Sequence, residues 1–335
     1  MVVNNRSNIR WLTGFTGSNA TVVCAADQLV VITDDRYRDQ APQELDAVGC
    51  PGRVETQSDP ATVVTTTFGS QVVVGLESQV VTWAQLLRWQ EQLTAAPVAL
   101  PPVIEELRQV KDAGELARIE RAALIADRAL GDLPEVVVAG KTEREVAHTL
   151  DSRMRALGAE GPAYETIVAS GPQAALPHAR PSDRRLTHGD LVIVDVGALV
   201  DGYRSDMTRT YVVGGAPSTV QQELFETVAA AHRAGLAAVA PGRQAVEVDQ
   251  ACRDLIEEAG YGELYVHGTG HGVGLDIHEL PAVNRRSAAI LQPGCVMTVE
   301  PGLYLPSVGG VRIEDLVLVT DTGCRPLSQS PQPSV

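Results

Sequence analysis

Short hydrophobic runs alternate with segments of helical periodicity along this chain. In its first part, valine-rich runs bounded by turn residues predict buried strands over 21–26, 28–33 and 71–76. Segment 82–93 has apolar residues at helical spacing behind Thr82, a suitable N-cap, and therefore predicts a helix. The next residues, TAAPVALPP, cannot continue that helix because of their prolines. We therefore place a domain boundary near residue 102.

The second part of the chain predicts a series of long helices with strands between them. Capping-box patterns or helical periodicity mark helices over 111–130, 142–157, 218–240 and 246–259. Strand-like runs are ETIVAS, LVIVDVGAL, RTYVVG, VMTVE and VRIEDLVLVT. This order predicts an α+β domain over 103–326, preceded by a smaller α/β domain over 1–102. The composition of LSQSPQPSV predicts a disordered tail over 327–335.

Four carboxylates and one histidine stand within or at the ends of the apolar runs of the second domain. They are Asp195, Asp206, His271, Glu300 and Glu314. An ionised carboxylate in such surroundings costs several kcal/mol unless a positive charge compensates it. Two divalent cations would balance four carboxylates. The pattern therefore suggests a binuclear metal centre.

Strand periodicity gives a first test of this interpretation. Asp195 ends LVIVD, and the glycine-containing turn after it allows Asp206 to return beside it. Within VRIEDLVLV, taken as one strand, Arg312 and Glu314 share a face. Taken singly, each aspartate could be a turn or cap residue, and Glu314 could be an ion-pair partner of Arg312. Oxygen donors with one imidazole favour Mn²⁺, Co²⁺, Fe²⁺ or Zn²⁺ over a metal that prefers thiolates.

Three of the seven histidines lie in the glycine-rich segment HGTGHGVGLDIH. His267 and His271 are four residues apart, but the glycines between them disfavour a helix, so the segment is not an HExxH metal helix. The glycine spacing does not match a dinucleotide-binding loop either. Glycines here are better explained by a backbone that passes close to a metal or a substrate.

Charge and composition exclude several classes of protein. The net charge of −15 disfavours binding to nucleic acids or to anionic membranes. Five scattered cysteines without CxxC spacing disfavour a disulfide framework and fit a reducing compartment. The sequence shows neither a signal peptide nor an apolar run long enough to span a membrane. We therefore expect a cytoplasmic protein.

Several motifs resemble those of the metallopeptidase family with the pita-bread fold. They are DVGALVDGYRSDMTRT, HGTGHGVGLDIHELP, MTVEPGLY and GGVRIED, in this order. The segments NIRWLTGFTGSNA and LRQVKDAGELARI resemble the creatinase-like N-terminal domain and linker of its proline-directed branch. The resemblance implies a pita-bread catalytic domain behind a creatinase-like domain. That first domain is expected to be shortened at its start, since its motif begins at residue 8.

The resemblance also implies a role for each candidate residue. Asp206 and Glu314 match metal ligands that bridge two ions, Asp195 matches a ligand of one ion, and His271 and Glu300 match ligands of the other. His178 and His278 match catalytic histidines, and Glu300 is a candidate for proton transfer. His267 and Arg312 match residues that line the substrate site.

The implied function is metal-dependent hydrolysis of the Xaa-Pro bond of dipeptides or short peptides. The implied cofactor is a pair of divalent ions, foremost Mn²⁺, with Co²⁺, Zn²⁺ or Fe²⁺ as alternatives. An aminopeptidase P acting on longer Xaa-Pro-Yaa peptides, or a non-catalytic binding protein on the same fold, remains an alternative. The resemblance further implies a homodimer, with short peptides as its ligands.

Overall fold

The computed structural model describes residues 1–131 and 133–331, with only the backbone described at 133 and 134. The chain divides into two compact units, Met1–Arg108 and Gln109–Val335. The division lies beyond the boundary that the prolines predict near residue 102. The reason is a short helix, Val103–Arg108, whose Ile104 is buried in the hydrophobic core of the first unit.

The first unit is built on a mixed six-stranded sheet, in agreement with the predicted α/β domain. Its strands are β1 (Val2–Val3), β2 (Ala20–Cys24), β3 (Leu29–Thr33), β4 (Arg53–Thr56), β5 (Gly75–Glu77) and β6 (Val98–Leu100). Its helices are α1 (Arg6–Thr13), α2 (Gln40–Ala47), α3 (Pro60–Phe68), α4 (Trp83–Gln92) and α5 (Val103–Arg108). The strand order is β4-β3-β2-β1-β5-β6, and buried valines of the central strands form much of the core.

The second unit combines long helices with antiparallel strands. Its helices are α6 (Ala113–Leu130), α7 (Leu133–Val136), α8 (Glu143–Ala156), α9 (Thr219–Ala238) and α10 (Ala245–Glu258). Its strands up to α9 are β7 (Gly161–Pro162), β8 (Ile167–Ser170), β9 (Leu191–Val196), β10 (Ala198–Val200), β11 (Tyr203–Arg204) and β12 (Met207–Val212). Its later strands are β13 (Gly270–Gly272), β14 (Glu279–Val283), β15 (Val296–Val299), β16 (Gly302–Leu305), β17 (Gly309–Arg312), β18 (Asp315–Val319) and β19 (Cys324–Pro326).

Two antiparallel sheets of this unit carry the candidate ligands. One has the order β12-β9-β8 and the other β14-β13-β15-β18-β19. Helices α9 and α10 pack on each other, and Val228 and Cys252 are buried in one core with Met297 and Val317 of the second sheet. Helices α6 and α8 pack beside the first sheet. The predicted α+β architecture is confirmed.

Local signals predict the helix starts well, whereas one predicted strand is interrupted. Thr142 and Ser218 form the capping boxes that the sequence indicates, and Thr82, predicted as an N-cap, forms one as well. The run VRIEDLVLV, however, is not one strand, because β17 ends at Arg312 and β18 begins at Asp315. Glu314 therefore lies at a junction between strands. No described helix is long and apolar enough to cross a membrane.

The structure corrects the prediction of a disordered tail at Leu327–Ser330. Leu327 and Ser328 are buried, and the Leu327 N–H donates to the Leu316 carbonyl at 2.7 Å. Composition misled the prediction because the Gln329 and Ser330 N–H groups and the Ser328 hydroxyl here bond to groups of other elements. Residues 332–335, the last of the predicted tail, lie outside the described residues.

Candidate metal centre

Antiparallel pairing brings the two candidate aspartates together. Asp195 lies in β9 opposite Thr208 of β12, and Asp206 immediately precedes β12. The hydroxyl of Tyr164 donates to Asp195 Oδ1 and, at 2.5 Å, to Asp206 Oδ1. Two carboxylates that share one donor lie side by side, as the turn between the two strands predicts.

The second sheet supplies the histidine and both glutamates. His271 lies in β13, Glu300 directly follows β15, and Glu314 directly precedes β18. These three strands are neighbours in the sheet, so the three side chains meet. His271 Nε2 lies 3.3 Å from Glu300 Oε1 and 3.6 Å from Asp206 Oδ2. Donor atoms of Asp206, His271 and Glu314 all lie within 4.8 Å of one another.

Burial and mutual repulsion disfavour the ionised form of these carboxylates when no cation is bound. Burial raises the pKa of Asp206, and the charges of Asp195 and Glu300 raise it further. Burial likewise raises the pKa of Glu300 and of Glu314, each with a neighbouring carboxylate as the next cause. Burial lowers the pKa of His271 to about 4, so its imidazole is neutral and able to bind a metal at neutral pH.

Neighbouring side chains orient the candidate ligands. The Thr208 hydroxyl donates to Glu314 Oε2 at 2.7 Å. Arg312 Nη2 donates to Asp195 Oδ2 at 2.7 Å, and the Arg312 and Asp195 side chains are 4% and 12% exposed. Arg312 therefore pairs with Asp195 and not with Glu314, the partner that their proximity in sequence suggests. Such outer contacts fix the direction in which ligand oxygens point.

Sequence reasoning missed Tyr164, which contacts two candidate ligands. Burial, followed by the charges of Asp195 and Asp206, raises the pKa of Tyr164 well above its usual value. Its phenol therefore stays protonated and can donate. The residue lies in an irregular segment between β7 and β8, with no periodicity or motif that would reveal it. Tyr304, in contrast, belongs to the MTVEPGLY motif, and its hydroxyl lies 2.9 Å from Arg312 Nη1.

A cavity of about 520 Å³ opens over these residues and contains the remaining candidates. His178, His267, His278 and Arg312 all line it, together with the five candidate ligands. The His278 ring lies 4.2 Å from the His271 ring, measured between centroids. His267 Nε2 lies 2.9 Å from the Tyr304 hydroxyl, and burial lowers the His267 pKa to about 4. The cavity thus collects every site residue that the sequence predicts.

The donor set fits a pair of divalent cations. Four carboxylates and one neutral imidazole line the same cavity, and burial beside other carboxylates raises the pKa of three of them. Arg312 supplies one positive charge and forms its ion pair with Asp195, so it cannot balance the other three carboxylates. Oxygen donors with a single nitrogen suit Mn²⁺ and its neighbours in the first transition row.

We expect the metal-free protein to become less stable as the pH rises. Folding raises the pKa of Asp206, Glu300 and Glu314 from ordinary values of 3.8 for aspartate and 4.5 for glutamate. Their protonated forms therefore contribute stability that is fully present below those values and is lost as the pH rises through the raised ones. Divalent ions compete with these protons, so the increase in Tm caused by Mn²⁺ should be larger at about pH 8 than at about pH 5.5. Thermal unfolding with and without Mn²⁺ measures this, and equal increases at both pH values would contradict it.

Comparison with known proteins agrees with this geometry. Residues 117–321 match the metallopeptidase family M24, and residues 1–110 match the creatinase/prolidase N-terminal domain. The uncharacterized peptidase YqhT of Bacillus subtilis is 38% identical over 99% of this chain and 94% of its own length.

Two solved structures are similar over nearly the whole chain. The Xaa-Pro dipeptidase from Bacillus anthracis has a TM-score of 0.93 and 36% identity, covering 99% of this chain and 93% of that one. The X-Pro aminopeptidase from Thermotoga maritima has a TM-score of 0.88 and 34% identity, covering 99% and 96%.

Proposed function

Because the chain belongs to metallopeptidase family M24, we propose that it is an exopeptidase that hydrolyses the Xaa-Pro bond of dipeptides with the help of two divalent metal ions. The observation that carries the proposal is the convergence of four carboxylates and one imidazole in the lining of one cavity of about 520 Å³. The resemblance of the whole chain to the Bacillus anthracis dipeptidase supports the choice of substrate.

The proposed ligands are the five residues of the sequence analysis. Asp206 and Glu314 would lie between the two ions, Asp195 would complete the coordination of one, and His271 and Glu300 that of the other. A metal pair of this kind supplies Lewis acidity and lowers the pKa of a water toward about 7, which makes hydroxide available at neutral pH. The two bound cations would offset the free-energy cost of burying four carboxylates.

The other residues of the cavity act on the substrate. His178 and His278 donate hydrogen bonds to the oxyanion that forms at the scissile carbonyl and stabilise the leaving nitrogen. Glu300, as a carboxylate, accepts a proton from the water and passes it to the leaving amine. His267 and Arg312 line the substrate site, and Arg312 also holds Asp195 in place.

Removal and return of metal tests the proposed function. The protein is stripped with a chelator, supplied separately with Mn²⁺, Co²⁺, Zn²⁺ or Fe²⁺, and assayed with Ala-Pro, Leu-Pro and an Xaa-Pro-Yaa tripeptide. We expect no cleavage without metal and restored cleavage of the dipeptides with at least one ion. Failure of every metal to restore cleavage of any Xaa-Pro bond would refute the proposal.

A second candidate function is aminopeptidase P activity on longer peptides. The similarity to the Thermotoga maritima X-Pro aminopeptidase favours it. The two functions differ in the group attached after the proline, which is a free carboxylate in a dipeptide and a further residue in a longer peptide. Preferential cleavage of the tripeptide in the same assay would select the second function.

Arg180 at the cavity wall supports the dipeptidase. Its Nε pairs with Glu165 Oε2 at 3.3 Å, and both side chains are exposed and line the cavity. An exposed pair of this kind is weak, so a substrate carboxylate can replace Glu165. Arg180→Ala should therefore reduce kcat/KM for Ala-Pro about tenfold, which corresponds to one charge-assisted hydrogen bond.

The amide of the same dipeptide is the control substrate for Arg180. It lacks the carboxylate charge, so its kcat/KM should change little in Arg180→Ala. Arg233→Ala, which removes an exposed arginine outside the cavity wall, should affect neither substrate. Equal losses with acid and amide would show that Arg180 does not recognise the carboxylate.

Metal identity, assembly and location complete the proposal. Mn²⁺ is the proposed ion because oxygen donors dominate the site, with Co²⁺, Zn²⁺ and Fe²⁺ as the ions to compare. We propose a homodimer in the cytoplasm. All five cysteines are free, which is consistent with a reducing compartment. Metal analysis of protein purified without chelator, and its mass in solution, test these points.

A further inference from the structure

A buried arginine lies directly behind the candidate metal ligands. Arg209 of β12 is 1% exposed. Its Nη1 donates to the carbonyl oxygens of Thr208, at 3.0 Å, and of Glu314, at 2.5 Å. Its Nη2 donates to Asp315 Oδ1 at 2.7 Å. One guanidinium therefore ties the strand that follows Asp206 to the backbone of Glu314.

The residues Leu327–Ser330, here called the C-terminal segment, hold the other side of this guanidinium. The Ser330 carbonyl accepts from Arg209 Nε at 3.1 Å and from Nη2 at 2.6 Å. The segment is attached to β18, since Leu327 N–H donates to the Leu316 carbonyl and Leu316 N–H donates to Ser328 Oγ at 3.0 Å. All three nitrogens of the Arg209 side chain are thus engaged.

Asp127 of α6 fixes the end of the C-terminal segment. Its carboxylate accepts from the N–H of Gln329 at 2.9 Å and from that of Ser330 at 2.7 Å. His232 Nε2 also lies 3.4 Å from Asp315 Oδ2, but burial lowers the His232 pKa to about 4, so this ring is neutral at pH 7. Arg209 is therefore the positively charged partner of Asp315.

We propose that Arg209, held by the C-terminal segment, is a positioning residue for the metal ligand Glu314. The Glu314 N–H donates to the Thr208 carbonyl at 3.2 Å, and the Thr208 hydroxyl donates to Glu314 Oε2 at 2.7 Å. Arg209 binds the carbonyls of these same two residues. A displaced guanidinium would therefore move both the backbone of Glu314 and the hydroxyl that orients its carboxylate. This inference rests on the proposed function, since it presupposes that Glu314 binds metal.

Metal affinity measured by calorimetry tests this role separately from activity. Full-length metal-free protein and Arg209→Lys are titrated with MnCl₂ at a temperature where circular dichroism shows both folded. Lysine keeps the charge but cannot reach Glu314 and Ser330 together, so we expect the Kd for Mn²⁺ to rise about tenfold, the usual effect of losing a partner of a metal ligand. Hydrogen exchange at the Glu314 amide should also become faster.

Truncation tests the contribution of the C-terminal segment. A chain ending at Pro326 should show the same weakening, while a chain ending at Pro331, which keeps the segment, should bind Mn²⁺ as the full-length protein does. Ser328→Ala removes the bond to Leu316 but leaves the Ser330–Arg209 contact, so its Kd should stay within twofold. If Arg209→Lys and the shorter chain do not fold, Asp127→Ala, which removes the acceptor of the Gln329 and Ser330 N–H groups, takes their place.

Ser328→Ala apart, the positioning role would be overturned by any folded variant of Arg209, Asp127 or the C-terminal segment whose Kd for Mn²⁺ stays within twofold of the full-length value. The contacts would then serve folding alone. Failure of the full-length protein to bind Mn²⁺ is a different result, because it would remove the metal centre and with it the proposed function.

Discussion

Asp206→Asn will reduce kcat/KM for an Xaa-Pro dipeptide by about a thousandfold or more and will lower the metal content of the protein. Loss of an outer partner of a metal ligand costs about ten- to hundredfold in metal affinity or activity, and Asp206 is itself a proposed ligand, so a larger effect is expected. Asparagine keeps the size of the side chain but removes a charge from the point where donor atoms of Asp206, His271 and Glu314 converge. Steady-state kinetics with Ala-Pro and metal analysis after dialysis measure both effects.

The matched control for this variant is Asp254→Asn on the exposed side of α10. It makes the same chemical change far from any candidate ligand in sequence and should keep full activity and metal content. Asp206→Asn should not destabilise the metal-free protein, because it removes one of several neighbouring carboxylates that disfavour each other's ionised form. Retained activity with an unchanged metal content would refute the assignment of Asp206 between the two ions.

Arg312→Met will destabilise the metal-free protein by roughly 3–5 kcal/mol. The change leaves the carboxylate of Asp195 buried without its ion-pair partner, and breaking a buried pair on one side has a cost of this size. Urea unfolding of chelator-treated protein measures it. Mn²⁺ should restore part of the loss, since a cation beside Asp195 replaces the missing positive charge.

Two further variants show whether burial of the Arg312–Asp195 pair causes this loss of stability. Arg312→Lys keeps the charge and should lose clearly less stability than the methionine variant. Arg144→Met breaks the exposed pair with Asp183, whose side chains are 50% and 79% exposed, and should change the unfolding midpoint little. Similar losses in the buried and exposed pairs would contradict the role given to Arg312.

The sequence predicted those helices and strands that are determined by residues close to one another in the chain. The capping boxes at Thr142 and Ser218 satisfy helix N–H groups with side chains three residues away, so the sequence alone reveals them, as it reveals the N-cap Thr82. The buried valine runs of β3 and β9 are likewise visible from composition. Where one long run spans two sheets, as at Glu314, periodicity could not show the break.

The candidate ligands could be predicted because a buried carboxylate is unusual wherever it occurs. Tyr164 could not, since a lone tyrosine in an irregular segment gives no such signal until the fold brings Asp195 and Asp206 to its hydroxyl. The C-terminal segment was missed for the same reason. Its polar residues predict disorder, whereas contacts with Asp127, Arg209 and Leu316, which composition does not reveal, hold it in place.

Anomalous diffraction from crystals grown with Mn²⁺ shows whether the candidate ligands bind two metal ions. We expect two manganese peaks in the cavity, both within bonding distance of Asp206 and Glu314, with Asp195 at one and His271 and Glu300 at the other. Metal peaks that lie elsewhere, or a cavity without any peak in protein saturated with Mn²⁺, would contradict this expectation.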